Sequence, residues 1–259
     1  MSERLNYNEV YERAQGKKDL YRSFGVPAVR AVLSSRYIRV VEGTENILDQ
    51  PAIYMANHVH FFDSFLMALA HYDETDTPMR LIAKKEYFEG DGMGNGRFGA
   101  PLQFAISRTG QIPVDRDGGK TELTLFNKRI IHVLDNGDSV GIHPEGTRVS
   151  NGKLHKFQKG AASVAIQASV PMVPVAVSYH HAKNARRSIA RVQFGTPITP
   201  EEYTQGFYAA LPRGAKVELT TRHIEDRVAQ MLGLDESQRT DSLARLKSML
   251  HLPNKNDTK

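Results

Sequence analysis

The sequence predicts an α/β fold: a mixed, mainly parallel sheet flanked by helices, with amphipathic helices before it and a helical appendage after it. Three observations predict it. Short apolar runs recur through the middle of the chain, and segments of helical periodicity separate them. The polar and turn-forming clusters fall just after apolar runs, where open α/β sheets hold their ligands. The 259 residues, 40% hydrophobic and 24% charged, are enough to bury a large core as one large domain or two small ones.

In chain order, residues 7–35 read as one or two helices, interrupted near Gly16 and Pro27. Leu20, Phe24, Ala28, Val32 and Leu33 recur at near-helical spacing, with Arg22, Arg30 and Arg36 among them. Such a segment, 1–36, reads as a membrane-surface anchor or as a helix packed on the core with a solvated basic edge. Residues 37–200 form the core region. Strands are predicted over 37–41, 52–56, 79–83, 139–142, 173–178 and 190–194, and helices over 64–71, 121–134 and 161–168. Residues 90–99 are a glycine-rich loop. Residues 201–259 read as helices on the same domain, over 216–232 and 237–250, ending in a polar tail.

Composition removes several chemistries. The chain has no cysteine, which excludes disulfides, a thiol nucleophile, a thiolate zinc site and an acyl-cysteine intermediate. The net charge of +5 favours anionic partners. The polar N-terminus carries no signal-peptide core, and no stretch approaches the roughly 18–20 apolar residues needed to span a bilayer. A lipid substrate would then be reached from the membrane surface, and the expected location is cytoplasmic, peripheral on the inner face of the membrane.

Four clusters carry candidate chemistry. The first, Asn57-His58-Val59-His60-Phe61-Phe62-Asp63, joins a predicted strand to a predicted helix. Histidine suits proton transfer near neutrality, and a carboxylate can fix its tautomer. Five residues of ideal helix leave two side chains about 140° apart. The pair can therefore meet only if His58 lies on a turn and Asp63 starts the helix. Each residue also has a plainer role, His58 as a loop histidine and Asp63 as a helix cap. With His60 they can also be read as metal ligands, although no second ligand cluster stands out.

The second cluster is Gly110-Gln111-Ile112-Pro113-Val114-Asp115-Arg116, a turn into a strand ending in a guanidinium suited to phosphate. The third, His143-Pro144-Glu145-Gly146-Thr147-Arg148, follows a strand and crowds a carboxylate and a guanidinium onto a tight path. Lys153, Lys156 and Lys159 follow it, before a helix N-terminus that favours anions. The fourth is the proline-bracketed run Val170-Pro171-Met172-Val173-Pro174-Val175-Ala176-Val177.

Two motifs are set aside. Gly94-Asn95-Gly96-Arg97-Phe98-Gly99 fits a dinucleotide fingerprint but sits inside a longer loop and runs into Pro101. The basic run Lys183, Arg186, Arg187 and Arg191 has no aromatic interleaving, so nucleic acid is not expected.

Taken together, in this order and spacing, the four blocks resemble the 1-acylglycerol-3-phosphate acyltransferase family, over roughly residues 37–200. The resemblance implies that His58 is a general base for the acceptor hydroxyl and that Asp63 orients it. The acceptor would be a glycerol phosphate lipid, and the donor acyl-CoA or acyl carrier protein. It places Arg116, Glu145, Gly146, Thr147 and Arg148 around the glycerol phosphate. Asn57 and Lys159 count with them as substrate-binding, and Pro174 shapes the acyl or acceptor site. Neither a cofactor nor a metal is implied, and an anionic membrane surface is an expected partner. Two departures stand out. His143 occupies a position where the family often has an aromatic or aliphatic residue, and the family's common transmembrane helix is not evident. Acylation of glycerol-3-phosphate or another alcohol is the near variant, and a metal-dependent hydrolase on His58, His60 and Asp63, and a non-catalytic lipid-binding protein, are the competing readings.

Overall fold

The computed structural model describes residues 21–89, 109–115, 117–149, 152–181, 183, 185–235 and 238–239. The glycine-rich loop over 90–99, Arg116 and the helix expected over 237–250 lie largely or wholly outside them, as does the first part of the N-terminal segment. A seven-stranded sheet has the order β1-β7-β6-β2-β5-β3-β4. Its strands are β1 (Tyr37–Glu42), β2 (Ile53–Ala56), β3 (Met79–Lys84), β4 (Ile112–Val114), β5 (Ser139–Ile142), β6 (Met172–His180) and β7 (Ser188–Phe194). The five strands from β6 to β4 are mutually parallel, while β7 runs antiparallel to β6 and carries β1 parallel to itself.

The main helices are α1 (Val26–Arg36), α2 (Asp63–Thr75), α3 (Gly119–Asp135), α4 (Gly160–Ala168) and α5 (Arg213–Met231). The strand β2 explains how they are layered. It lies between β5 and β6, and all four of its residues are buried, as expected of a central parallel strand covered on both faces. Period-two alternation sends Ile53 and Met55 to one core, with residues of α3, α4 and α5, and Tyr54 and Ala56 to the other, with residues of α1 and α2. The result is a three-layer sandwich.

Two details follow from proline chemistry. Near Pro27 the helical segment changes character: a π-helical turn, Tyr21–Gly25, ends just before α1, and Pro27 sits in the first turn of α1, where its missing N–H is least needed. Pro174 lies inside β6, a position that proline usually avoids. Its carbonyl accepts from Gly195 N at 2.8 Å, and its nitrogen faces the same side, just past the end of the β6–β7 register at Phe194. The proline keeps the one bond of that pair it can make, and the bond its missing N–H forgoes falls where the β6–β7 register ends.

The helix α1 packs on the core through Val26 and Leu33, while Val32 is exposed. Arg30 pairs with Asp73 of α2 at 2.5 Å, and Arg22 pairs with Asp76 just beyond it at 2.6 Å. Among the described residues, no helix is long and apolar enough to cross a membrane.

Candidate active site

The chain leaves the sheet at the carboxyl end of β2, with parallel neighbours β5 and β6 on either side. Asn57 prolongs the pairing with β6 by a side chain. Its Nδ2 donates to Val177 O at 2.9 Å, and its Oδ1 accepts from Val177 N at 2.7 Å. Both amide atoms are thereby spent on backbone, and Asn57 is buried.

His58 stands on the turn that follows. Its backbone N–H donates to Glu145 Oε1 at 2.6 Å, and its carbonyl accepts from Val149 N at 2.7 Å. The loop after β5 thus holds both peptide groups of His58. Gly146 makes that loop possible. It has φ +71°, and a Cβ there would come within 2.6 Å of Gln158 Nε2.

Asp63 is the first residue of α2, and its Oδ2 lies 2.9 Å from His58 Nδ1. The same oxygen accepts the N–H groups of Val59 and His60, each at 2.7 Å, and Oδ1 accepts the Tyr179 hydroxyl at 2.6 Å. Asp63 is not a forward helix cap. Phe62 holds the capping position without a side-chain bond, and the Asp63 carboxylate reaches back into the preceding turn.

With the other donors converging on that carboxylate, the Nδ1–H of His58 points at Asp63, which leaves the lone pair on Nε2. The His58 side chain is 19% exposed and the Asp63 side chain 0%. A fixed, partly open imidazole backed by a buried carboxylate is an arrangement suited to general-base work. His60 turns elsewhere, its Nδ1 lying 3.4 Å from the Tyr37 hydroxyl. His58, His60 and Asp63 therefore do not converge on a common point as ligands would.

The other expected residues are distributed as follows. Glu145 is buried, its second oxygen accepting from His155 N at 2.9 Å. Burial pushes its carboxyl up to about 7, against the pull of those two amides. Thr147 and Arg148 are exposed on the loop whose next residue, Val149, bonds the His58 carbonyl. Lys159, at the start of α4, is exposed and pairs with Glu218 of α5. Pro174 packs toward Gly195 and Met231, below the carboxyl edge of the sheet. Arg116 lies outside the described residues.

Tyr179 was not foreseen. Its signal was the alternation of β6, which puts it on the face of Val173, Val175 and Val177, the side covered by α2. Burial, and then the Asp63 charge, push its phenol well above the usual range, so it stays a donor.

Comparison with known proteins adds a separate line of evidence. Residues 38–178 match the family model described as Acyltransferase. A chloroplastic 1-acyl-sn-glycerol-3-phosphate acyltransferase of Arabidopsis thaliana is 33% identical over 139 residues, 52% of this chain and 34% of that protein. The 1-acyl-sn-glycerol-3-phosphate acyltransferase of Pseudomonas aeruginosa is 29% identical over 153 residues, 59% of this chain and 53% of that protein. The beta form from Homo sapiens is 31% identical over 131 residues, 50% of this chain and 42% of that protein. The matched part of the chain thus spans only about a third to a half of the length of these relatives. The crystal structure of the 1-acyl-sn-glycerophosphate acyltransferase PlsC from Thermotoga maritima aligns with a TM-score of 0.47 and 22% identity, over 85% of this chain and 78% of that one.

Proposed function

The chain belongs to the acyltransferase family, and from that premise we propose that it moves a fatty acyl group from acyl-CoA or acyl carrier protein to the free hydroxyl of 1-acylglycerol-3-phosphate, giving phosphatidate. The observation that carries this reading is the His58–Asp63 pair at the carboxyl end of the central strand, with Nε2 of His58 left without a partner among the described residues. The choice of acceptor is supported by the relatives, which are named for that lipid.

In this reading His58 Nε2 takes the proton of the acceptor hydroxyl as its oxygen attacks the thioester carbonyl. The imidazolium so formed is stabilised by Asp63, and the proton then passes to the departing thiol. No covalent intermediate with the protein forms. Help of this kind is typically worth about 10²–10⁴-fold. Thr147 and Arg148, exposed on the loop that bonds the His58 carbonyl, are assigned in this reading to the acceptor phosphate, and so is Arg116. Asn57 and Glu145 contribute by holding backbone, not by touching substrate.

Docking on an anionic bilayer fits the surface at the same edge of the sheet. There Val32 and Ile38 are exposed large apolar residues, and Arg186 and Arg187 line a shallow hollow with Ile38. The test is incubation of purified protein with labelled acyl-CoA or acyl carrier protein and either 1-acylglycerol-3-phosphate or glycerol-3-phosphate, with His58→Ala as control. Labelled phosphatidate from the parent alone is the expected result. No ester from either donor and either acceptor sinks the proposal.

A further inference from the structure

The residue just before the loop that cradles His58 is a second histidine. His143 lies face to face with His58, with ring centroids 4.0 Å apart and planes 14° from parallel. Both of its nitrogens are engaged. Nδ1 faces Asn57 O at 2.9 Å and Ala56 O at 3.2 Å, so it carries the proton. Nε2 lies 2.8 Å from Ser64 Oγ and accepts from that hydroxyl. The ring is therefore pinned to the end of β2, which carries His58, and to the first turn of α2, which carries Asp63.

We propose that His143 is a positioning residue for the base, holding the plane of the His58 ring so that Nδ1 stays on Asp63 and Nε2 stays open to the acceptor hydroxyl. The proposal rests on the reading of His58 as general base. The Asp63 bond fixes one edge of the His58 ring but leaves it free to rock about that bond. A flat partner at stacking distance removes that freedom, and fixed geometry is where much of the catalytic advantage of a base lies. An apolar side chain at position 143 can fill the space but cannot tie β2 to α2. Burial, reinforced by the neighbouring His58, pushes His143 down to about 4, against the opposing influence of Asp63 and of the carbonyls of Ala56 and Asn57. The neutral ring therefore does not compete for the proton that His58 removes.

Four variants separate the contributions. His143→Phe keeps a ring face and loses both tethers, Ser64→Ala loses one tether, His143→Ala loses everything, and His58→Ala reports on the base itself. Steady-state kinetics should show kcat of His143→Ala reduced about 10–100-fold with the acceptor KM little changed, and smaller losses of kcat in the other two. The downfield proton resonance of the His58 Nδ1–Asp63 bond should be sharp in the parent and broadened in His143→Ala. If His143→Ala does not fold, His143→Phe and Ser64→Ala carry the same comparison. Kinetics within about twofold of the parent, with the resonance unchanged, overturn the positioning role. Loss of activity in His58→Ala beside intact His143 variants overturns that role alone. Full activity in His58→Ala overturns the base reading and the positioning role together.

Discussion

The hydroxyl of Tyr179 donates to Oδ1 of Asp63 at 2.6 Å across a sequence separation of 116 residues. The bond ties the far end of β6 to the first turn of α2. It also completes the donors around a carboxylate that is wholly out of solvent: the His58 ring, the amides of Val59 and His60, and this phenol. A buried charge is tolerable only when so satisfied. The group that orients His58 is thus itself oriented from three directions.

Tyr179→Phe tests that support. The ring keeps its volume and its packing on Tyr37, whose centroid is 5.4 Å away, but Oδ1 loses its donor. An unsatisfied buried polar group costs about 1–3 kcal/mol, more when charged. Urea unfolding should show a loss of at least that order, and kcat should fall with the acceptor KM held. An unchanged unfolding midpoint would show that the phenol does not support the carboxylate.

Asp63→Asn keeps the shape and removes the charge. The amide oxygen can still accept from His58 and from the two backbone amides, and the NH₂ group can turn to Tyr179, whose hydroxyl can accept. The fold should survive, by circular dichroism and melting. The imidazolium formed in the reaction would lose its counter-charge, and kcat should fall by about 10²–10⁴-fold. Near-parent turnover in a folded Asp63→Asn protein would mean that the charge is not used.

Much of the sandwich was legible because its signals are local. Residues 139–142 and the opening of α2 near Asp63 were set by apolar runs and turn residues within a few positions. The geometric condition on the first cluster was also local, since residues five apart cannot face one another on a helix. What could not be read depends on pairings between distant segments. The reversal at β7 and β1 is fixed by contacts such as Val177 with Val192 and Val41 with Val192. The inward turn of Glu145 depends on His155 and on the backbone of His58. From the sequence, Glu145 beside Thr147 and Arg148 looked like one polar patch. In the fold, Glu145 is buried while the other two are exposed, a distinction set by the left-handed Gly146 between them.

His71 makes the protein sensitive to acid. It is buried in α2 against the edge of Tyr54, and burial pushes its pKa from 6.5 down to about 4. The unfolded chain therefore takes up the proton first as pH falls. The stability from a neutral His71 is complete above about 6.5 and is lost progressively toward about 4. His143 acts in the same direction. His71→Phe removes one titrating site and a ring nitrogen that has no hydrogen-bond partner among the described residues. Urea midpoints measured between pH 4 and 7 should fall less steeply in this variant than in the parent, and equal slopes would refute the assignment.

Glu145 works in the opposite sense and discriminates between two roles. Its carboxyl is raised from 4.5 to about 7, so the folded state holds the proton more tightly than the unfolded chain. Its contribution to stability is greatest below about 4.5 and is lost as pH rises to about 7. Glu145→Gln should abolish that slope. It should also lower kcat, because one amide oxygen cannot replace two carboxylate oxygens that hold the N–H groups of His58 and His155. The acceptor KM should change little, since the carboxyl faces backbone. A large rise in acceptor KM with kcat preserved would place Glu145 on the glycerol phosphate instead, and the cradle around His58 would then have to be held by the Val149 bond alone.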